Sequence, residues 1–189
     1  MEEQFGMIIE TIFSTLDPQG NPNFAPMGVV WGEEEMVVRP FRNTHTYRYL
    51  MDTGYGVANV TDDVLLFVQS ALTDPCLPWF PARYIPGAVL CAACFWRELV
   101  VKEAHHTGER AEIRCRVVGG GWQRDFLGFN RGRNAIIEAT IMATRLHLYP
   151  EQQVWAELQR SEEIVRKTGG ERECEAMEYL LDWIRRQLQ

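Results

Sequence analysis

The chain has 189 residues, 46% of them hydrophobic and 24% charged, with a formal net charge of -7 and a sequence pI near 5.2. That length suits one sizeable core with room for a small helical appendage. The acidic balance argues against non-specific nucleic-acid binding, which depends on basic surface, and no apolar run approaches the roughly 18–20 residues a membrane-spanning helix requires. The acidic start, Met1 to Phe5, lacks the apolar stretch of a signal peptide. The five cysteines are odd in number and scattered, which reads as reduced thiols. A cytoplasmic protein is expected.

In chain order, Met7 to Leu16 is rich in β-branched and aromatic residues and predicts a strand. Asp17-Pro-Gln-Gly-Asn21 predicts a turn, and Asn23 to Trp31 the returning strand. After a second turn at Gly32 to Glu35, a third strand runs to Phe41, giving an antiparallel meander. Thr44 to Met51 predicts a short helix, Gly56 to Val60 a strand, and Asp62 to Leu72 a helix opened by an acidic cap. The segment Asp74 to Pro86, with Pro75, Pro78, Pro81 and Pro86 among three aromatic residues, predicts a rigid loop packed over the end of a barrel.

Ala88 to Ala104 and Ala111 to Val118 predict two long strands around a turn at His105 to Glu109, ended by the breaker Gly119-Gly-Gly-Trp122. Cys91 and Cys94 form a C-x-x-C. On a strand they would face opposite sides, and no second cysteine pair completes a metal site. His105 and His106 alternate in the same way, so no metal is expected. A helix follows from Asn130 or Gly132 to about Leu146. Ala135, Ile136, Ile137, Ala139, Ile141, Met142 and Ala143 cover most of its circumference, which predicts burial, with a second subunit as one possible cover. Pro150 to Gln189 carries two apolar stripes separated by Gly169-Gly170 and predicts an αα-hairpin. The expected division is residues 1–149 as the main domain and 150–189 as an appended helical hairpin.

The chemistry-bearing stretch runs from Arg39 to Tyr47. Arg42, Asn43, Thr44 and Thr46 place a guanidinium, an amide and two hydroxyls within five positions, where a helix begins. Helix N-termini add unpaired N–H donors and partial positive charge, so this set suits a phosphate dianion. Arg39 offers a second cation. Ala25-Pro26-Met27-Gly28 offers small side chains on a strand that Pro26 keeps out of a regular ladder, so a flat ring can lie against it. Gly128 to Asn134, with Arg131 and Arg133 at a helix start, is a second anion candidate. His45 is expected to be an exposed residue at the helix start. No G-x-S-x-G, Walker loop or G-x-G-x-x-G follows a strand, so no nucleophile or nucleotide loop of those kinds is expected.

The order Thr-Leu-Asp-x-x-Gly-x-Pro-x-x-Ala-Pro-Met-Gly from Thr15 to Gly28, then the Arg42–Thr46 cluster, then Val-Ala-Asn-Val-Thr-Asp-Asp from Val57 to Asp63 resembles the FMN-binding split β-barrel superfamily. More narrowly it resembles flavin reductase-like proteins with an added C-terminal helical segment. The resemblance implies an α+β fold, an antiparallel split β-barrel with peripheral helices. It also implies bound FMN held by Ala25, Pro26, Met27, Gly28, Arg39, Arg42, Asn43, Thr44, Thr46 and Asn59, in a homodimer with FMN near the subunit interface. The spacing of Thr44 and Thr46 differs from the Ser-x-x-Thr-x-x-Thr of many flavin reductases, so which hydroxyl meets the phosphate stays open. The implied function is an oxidoreductase passing electrons from a reduced donor to a small-molecule acceptor. A non-catalytic flavin carrier or sensor, or a barrel for another phosphate-bearing ligand, stands beside it.

Overall fold

β1 (Ile8–Leu16) buries Phe13 completely on one face and Ile12 and Ser14 on the other. Both faces of this strand are therefore covered, and the reason is the layer that packs outside it. The computed structural model describes residues 6–188; the acidic Met1 to Phe5 start and Gln189 lie outside the described residues. β1 turns through Asp17 to Asn21 into β2 (Pro22–Val30). The Asp17 carboxylate accepts from Asn21 Nδ2 and from the backbone N–H groups of Asn21 and Gln19. Gly20 takes the left-handed backbone, φ 88°, that closes this turn.

β3 (Glu35–Val38) is short. It is followed by α1 (His45–Thr53), β4 (Tyr55–Val60), α2 (Val64–Leu72), β5 (Trp79–Pro81), β6 (Ala88–Leu90), β7 (Phe95–Thr107) and β8 (Arg110–Trp122). The barrel closes in the order β1-β2-β3-β8-β7-β4, with β4 returning to β1 and every pairing antiparallel. Phe13, Val29, Met36, Val38, Ala58, Leu99, Ala111, Ile113 and Cys115 fill its interior. Leu50 of α1 joins them, so α1 plugs one end. Burial pushes the Cys115 thiol up to about 12, as expected for a thiol with no route to water.

Two expectations for this half need correction. The long strand from Ala88 to Ala104 is broken: a turn at Cys91 to Cys94 separates β6 from β7. The C-x-x-C thus sits on that turn, with Cys91 exposed and Cys94 buried. The glycine run that was expected to end the strands instead lies inside β8. β-carbons there would collide with the Tyr84 ring at Gly119, the Trp96 carbonyl at Gly120 and the Trp96 ring at Gly121. Close approach of neighbours, rather than a break, requires these glycines. The Pro-rich loop pairs β5 with β6 and packs Ile85 and Phe80 on Val57, Val89 and Trp96, outside the barrel.

The chain divides into two compact units: residues up to Thr61 with Cys76–Asp125, and Asp62–Pro75 with Phe126–Gln189. The second unit holds α2, α3 (Arg131–Ala143), α4 (Glu151–Thr168) and α5 (Glu171–Gln187). Its core contains Val64, Leu65, Val68, Ile136, Ala139, Leu158, Leu180 and Ile184. This division differs from the boundary expected at residues 149 and 150. Ile136, Ala139, Met142 and Ala143 of α3 are buried within this unit, where the helix packs with α2, α4 and α5.

Arg133 organises this helical unit. It pairs with Glu173 at 2.7 Å and with Asp62 at 3.5 Å, while Glu173 also accepts from the Gly170 N–H that opens α5. The anion site expected at Gly128 to Asn134 is therefore already answered, for Arg133, by the protein's own carboxylates. Burial alone would raise the Glu173 carboxyl. The Arg133 hydrogen bond, the Gly170 N–H and the Arg133 charge outweigh it and hold the group below the usual carboxylate range. A carboxyl lowered on folding contributes stability that is fully present above its unfolded value, about 4, and is lost as pH falls through the folded value. Unfolding free energy measured in denaturant is expected to drop on acidification below about pH 4. The drop should be smaller in Glu173→Gln; equal drops in both proteins would remove Glu173 from the explanation.

Candidate functional site

The ladder between β2 and β3 holds only Val29↔Val38 and Val30↔Val37 among the described residues. Continued by the same register, it would set Arg39 opposite Gly28 and Arg42 opposite Ala25. It stops instead. The chain after β3 stays with β8: Ala111 N–H donates to the Pro40 carbonyl, and Arg42 N–H to the Glu109 carbonyl. Pro26 and Pro40 bring no N–H to the missing ladder. From Asn23 to Gly28, the edge of β2 that turns away from β1 thus lacks a strand partner. Alternate backbone groups there must find another ligand or water.

α1 starts at the same end of the barrel. Thr44 caps it: its Oγ1 accepts from Tyr47 N–H at 3.3 Å and donates to the Phe41 carbonyl at 2.7 Å. The first intrahelical bond runs from Arg48 N–H to the Thr44 carbonyl, so the N–H groups of His45 and Thr46 precede the helical ladder. Arg42, Asn43, Thr44, Tyr47, Arg48, Met51 and Asp52 line a hollow of about 370 Å³ beside this start. Arg42 donates to the Gly108 carbonyl at 3.4 Å. Among the described residues, neither Arg42 nor Arg48 has a carboxylate within ion-pair distance. Two unneutralised guanidinium groups, an amide and open helix N–H groups form a donor set that fits a phosphate dianion.

The other expected residues are distributed differently. Arg39 is paired with Glu112 at 2.9 Å, so its charge is answered within the barrel wall. Thr46 is buried on the opposite face of α1, where its Oγ1 accepts from Asn23 Nδ2 at 3.2 Å. That bond ties α1 to β2 and leaves the Thr46 hydroxyl proton without an acceptor among the described hydrogen bonds. Thr44, by contrast, has already committed its proton to Phe41. Ala25 to Gly28 lie on the open edge of β2. Asn59 is fully buried: its Nδ2 donates to the Ile12 carbonyl and Ser14 Oγ, and its Oδ1 accepts from Leu90 N–H. It binds β4 to β1 and β6. His45 is exposed with its ring beside Tyr49.

The sequence reading missed two residues. Arg48 is one turn into α1, and the i to i+4 spacing from Thr44 is the signal that puts it beside the cap. Glu98 is wholly buried, and its carboxylate accepts from the backbone of Arg83 and Tyr84 and from Trp96 Nε1. It pins the Pro-rich loop. An acidic residue within the β-rich run Phe95 to Val101 was the available signal.

An antiparallel barrel split along one ladder, plugged by a helix at the split end and accompanied by a helical unit, defines a split-barrel fold. The chain belongs to the DUF447 family, described as proteins of unknown function. The N-terminal domain of that family matches residues 9–124 and its C-terminal part residues 130–182. In structure the chain is similar to the FMN-bound DUF447 protein MM1853 from Methanosarcina mazei, with 28% sequence identity, 94% of this chain and 95% of that one covered, and a TM-score of 0.82. It shares the barrel fold with a candidate split-barrel flavin reductase from Shewanella frigidimarina, 15% identical over 63% of this chain and 69% of that one, TM-score 0.55. It also shares it with 2-nitrobenzoate 2-nitroreductase from Pseudomonas fluorescens, 15% identical over 64% and 67% of the two chains, TM-score 0.53.

Asn59→Ala is expected to lower the unfolding free energy by about 2–3 kcal/mol, because it orphans buried partners on two strands. Chemical denaturation of the variant checks this; a loss below about 0.5 kcal/mol would mean water replaces the amide.

Proposed function

We propose that this protein binds FMN at the split end of the barrel and acts as an oxidoreductase, passing electrons from a reduced donor to a small-molecule acceptor. The observation that carries the reading is the pair of unneutralised guanidinium groups, Arg42 and Arg48, at the open start of α1. The FMN-bound family member from Methanosarcina mazei, alike over nearly the whole chain, supports the choice of ligand. The ring supplies the redox chemistry when bound. The residues of this chain do the holding. Arg42, Arg48, Asn43 and the N–H groups of His45 and Thr46 neutralise the phosphate. The Thr44 hydroxyl is kept for the cap, and that of Thr46 for its bond with Asn23 on the other face of α1. The unpaired edge of β2 from Ala25 to Gly28 offers backbone donors and acceptors to a flat heterocycle, and its small side chains let the ring approach.

The same reading makes the protein a homodimer with the flavin near the interface. Phe126, Leu127 and Phe129 support it: they are exposed in succession, Phe129 completely, and such a patch suits a partner surface. Light scattering is expected to give twice the 21.8 kDa chain mass; a monomer would separate flavin binding from dimerisation.

The test of the cofactor reading is a fluorescence titration with FMN. Charge-assisted hydrogen bonds are worth about 1.5–3 kcal/mol each, so Arg42→Ala is expected to weaken FMN binding by roughly 10- to 100-fold. Arg48→Ala should weaken it by a similar factor, and Thr44→Ala should act mainly on helix stability. If Arg42→Ala and Arg48→Ala both keep wild-type affinity, the phosphate lies elsewhere. Wild-type protein that takes up no FMN overturns the reading itself, and flavin that is bound but never reduced by a nicotinamide donor favours a carrier.

A further inference from the structure

The opposite end of the barrel carries a second recess that the flavin reading does not use. β2 and β3 run antiparallel, so Trp31, which follows β2, lies at the end away from Arg42. There, Phe95, Arg97, Val117, Gly119, Gly120, Gly121 and Trp122 line a hollow of about 590 Å³, within the range of small-ligand sites. Trp31 and Phe95 meet edge to face at 6.0 Å. The Arg97 guanidinium lies 5.7 Å from the centre of the Trp31 ring and 5.8 Å from that of Phe95. Its Nη1 donates to the Trp96 carbonyl at 3.1 Å, and among the described residues it has no carboxylate partner.

Two further features point to a ligand. First, the floor is bare backbone. Gly120 sits opposite Arg97 in the β7–β8 ladder, and a β-carbon there would come within 3.3 Å of the Arg97 Nη1. The missing side chain is what lets the guanidinium lie over the strand. Second, β8 outruns its neighbour. β3 pairs with β8 only as far as Glu35↔Arg116, and the last bond across that seam runs from Val117 N–H to the Glu34 carbonyl. From Gly119 to Trp122, one edge of β8 has no strand partner among the described residues. The recess therefore joins an unneutralised cation, open backbone groups and aromatic walls, one of which, Trp122, is 65% exposed.

We propose that this far mouth of the barrel binds a planar aromatic carboxylate. Arg97, held beside the Trp31 and Phe95 rings, meets the carboxylate, a pairing its planar fork favours, and Phe95 and Trp122 flank the ring. The site is separate from the phosphate end of α1, so its test needs no flavin.

The probe is sodium benzoate, titrated into the full-length protein by calorimetry and followed by amide NMR. Benzoate should bind with a stoichiometry of one, shift the amide signals of Gly119, Gly120 and Gly121, and leave those of Thr44 to Arg48 in place. Benzamide, of the same shape without the charge, should bind at least about tenfold more weakly, the scale of one charge-assisted contact. Arg97→Gln should lose benzoate affinity by a similar factor. Should that variant fail to fold, Trp122→Ala, at an exposed side chain, carries the test with an expected loss of several-fold. No benzoate binding, equal affinity for benzamide, unchanged affinity in the folded variant, or shifts confined to Thr44 to Arg48 would each overturn the proposal.

Discussion

The shortness of β3 is the constraint on which the barrel's chemistry depends. Its neighbours in the barrel, β2 and β8, run for nine and thirteen residues, while β3 has four. A strand that short closes the barrel but cannot satisfy both neighbours along their length. β2 is left with an open edge toward one end and β8 toward the other. Buried or half-buried backbone groups do not stay unpaired without cost, so each open edge is a place where something other than a strand must supply partners. The hollow beside Arg97 adjoins the gap along β8.

What keeps such a barrel closed is the layer outside it. Asn59 and Ser14 bind β1, β4 and β6 together, with Ser14 Oγ donating to the Ala88 carbonyl. Glu98 fastens the Pro-rich loop over the same outer face through backbone N–H groups of Arg83 and Tyr84. These buried polar groups are satisfied, and networks of that kind fix a unique arrangement because any alternative leaves one of them stranded. α1 completes the closure from within by placing Leu50 in the barrel core while its first turn stays open to solvent.

Much of this was legible in the chain. The β-branched and aromatic residues of Met7 to Leu16, the turn residues that follow them and the acidic cap before Val64 each pointed to the element that forms. The cap, the arginine and the amide from Arg42 to Thr44 were readable because they are neighbours in sequence. Nothing local to Asn59 reveals that Leu90 N–H, thirty-one positions away, bonds its oxygen. Arg39 and Arg42 look alike in sequence, and only the register of β3 against β8 brings Glu112 to one and leaves the other without a carboxylate. The glycines at 119 to 121 read as a breaker because propensity sees their missing side chains but not the Tyr84 and Trp96 rings that occupy the space.

The placement of α2 has a consequence for how this architecture can be inherited. The helix lies in sequence between β4 and β5, yet its apolar residues Val64, Leu65 and Val68 belong to the helical core. The chain therefore passes between its two units three times, not once. A gene cut after residue 125 would leave the barrel carrying a greasy orphan helix and rob α3, α4 and α5 of the surface they pack on. Although the family is recognised as two consecutive segments, those segments are not modules that recombination can trade. A barrel without its tail would expose the apolar face of α2.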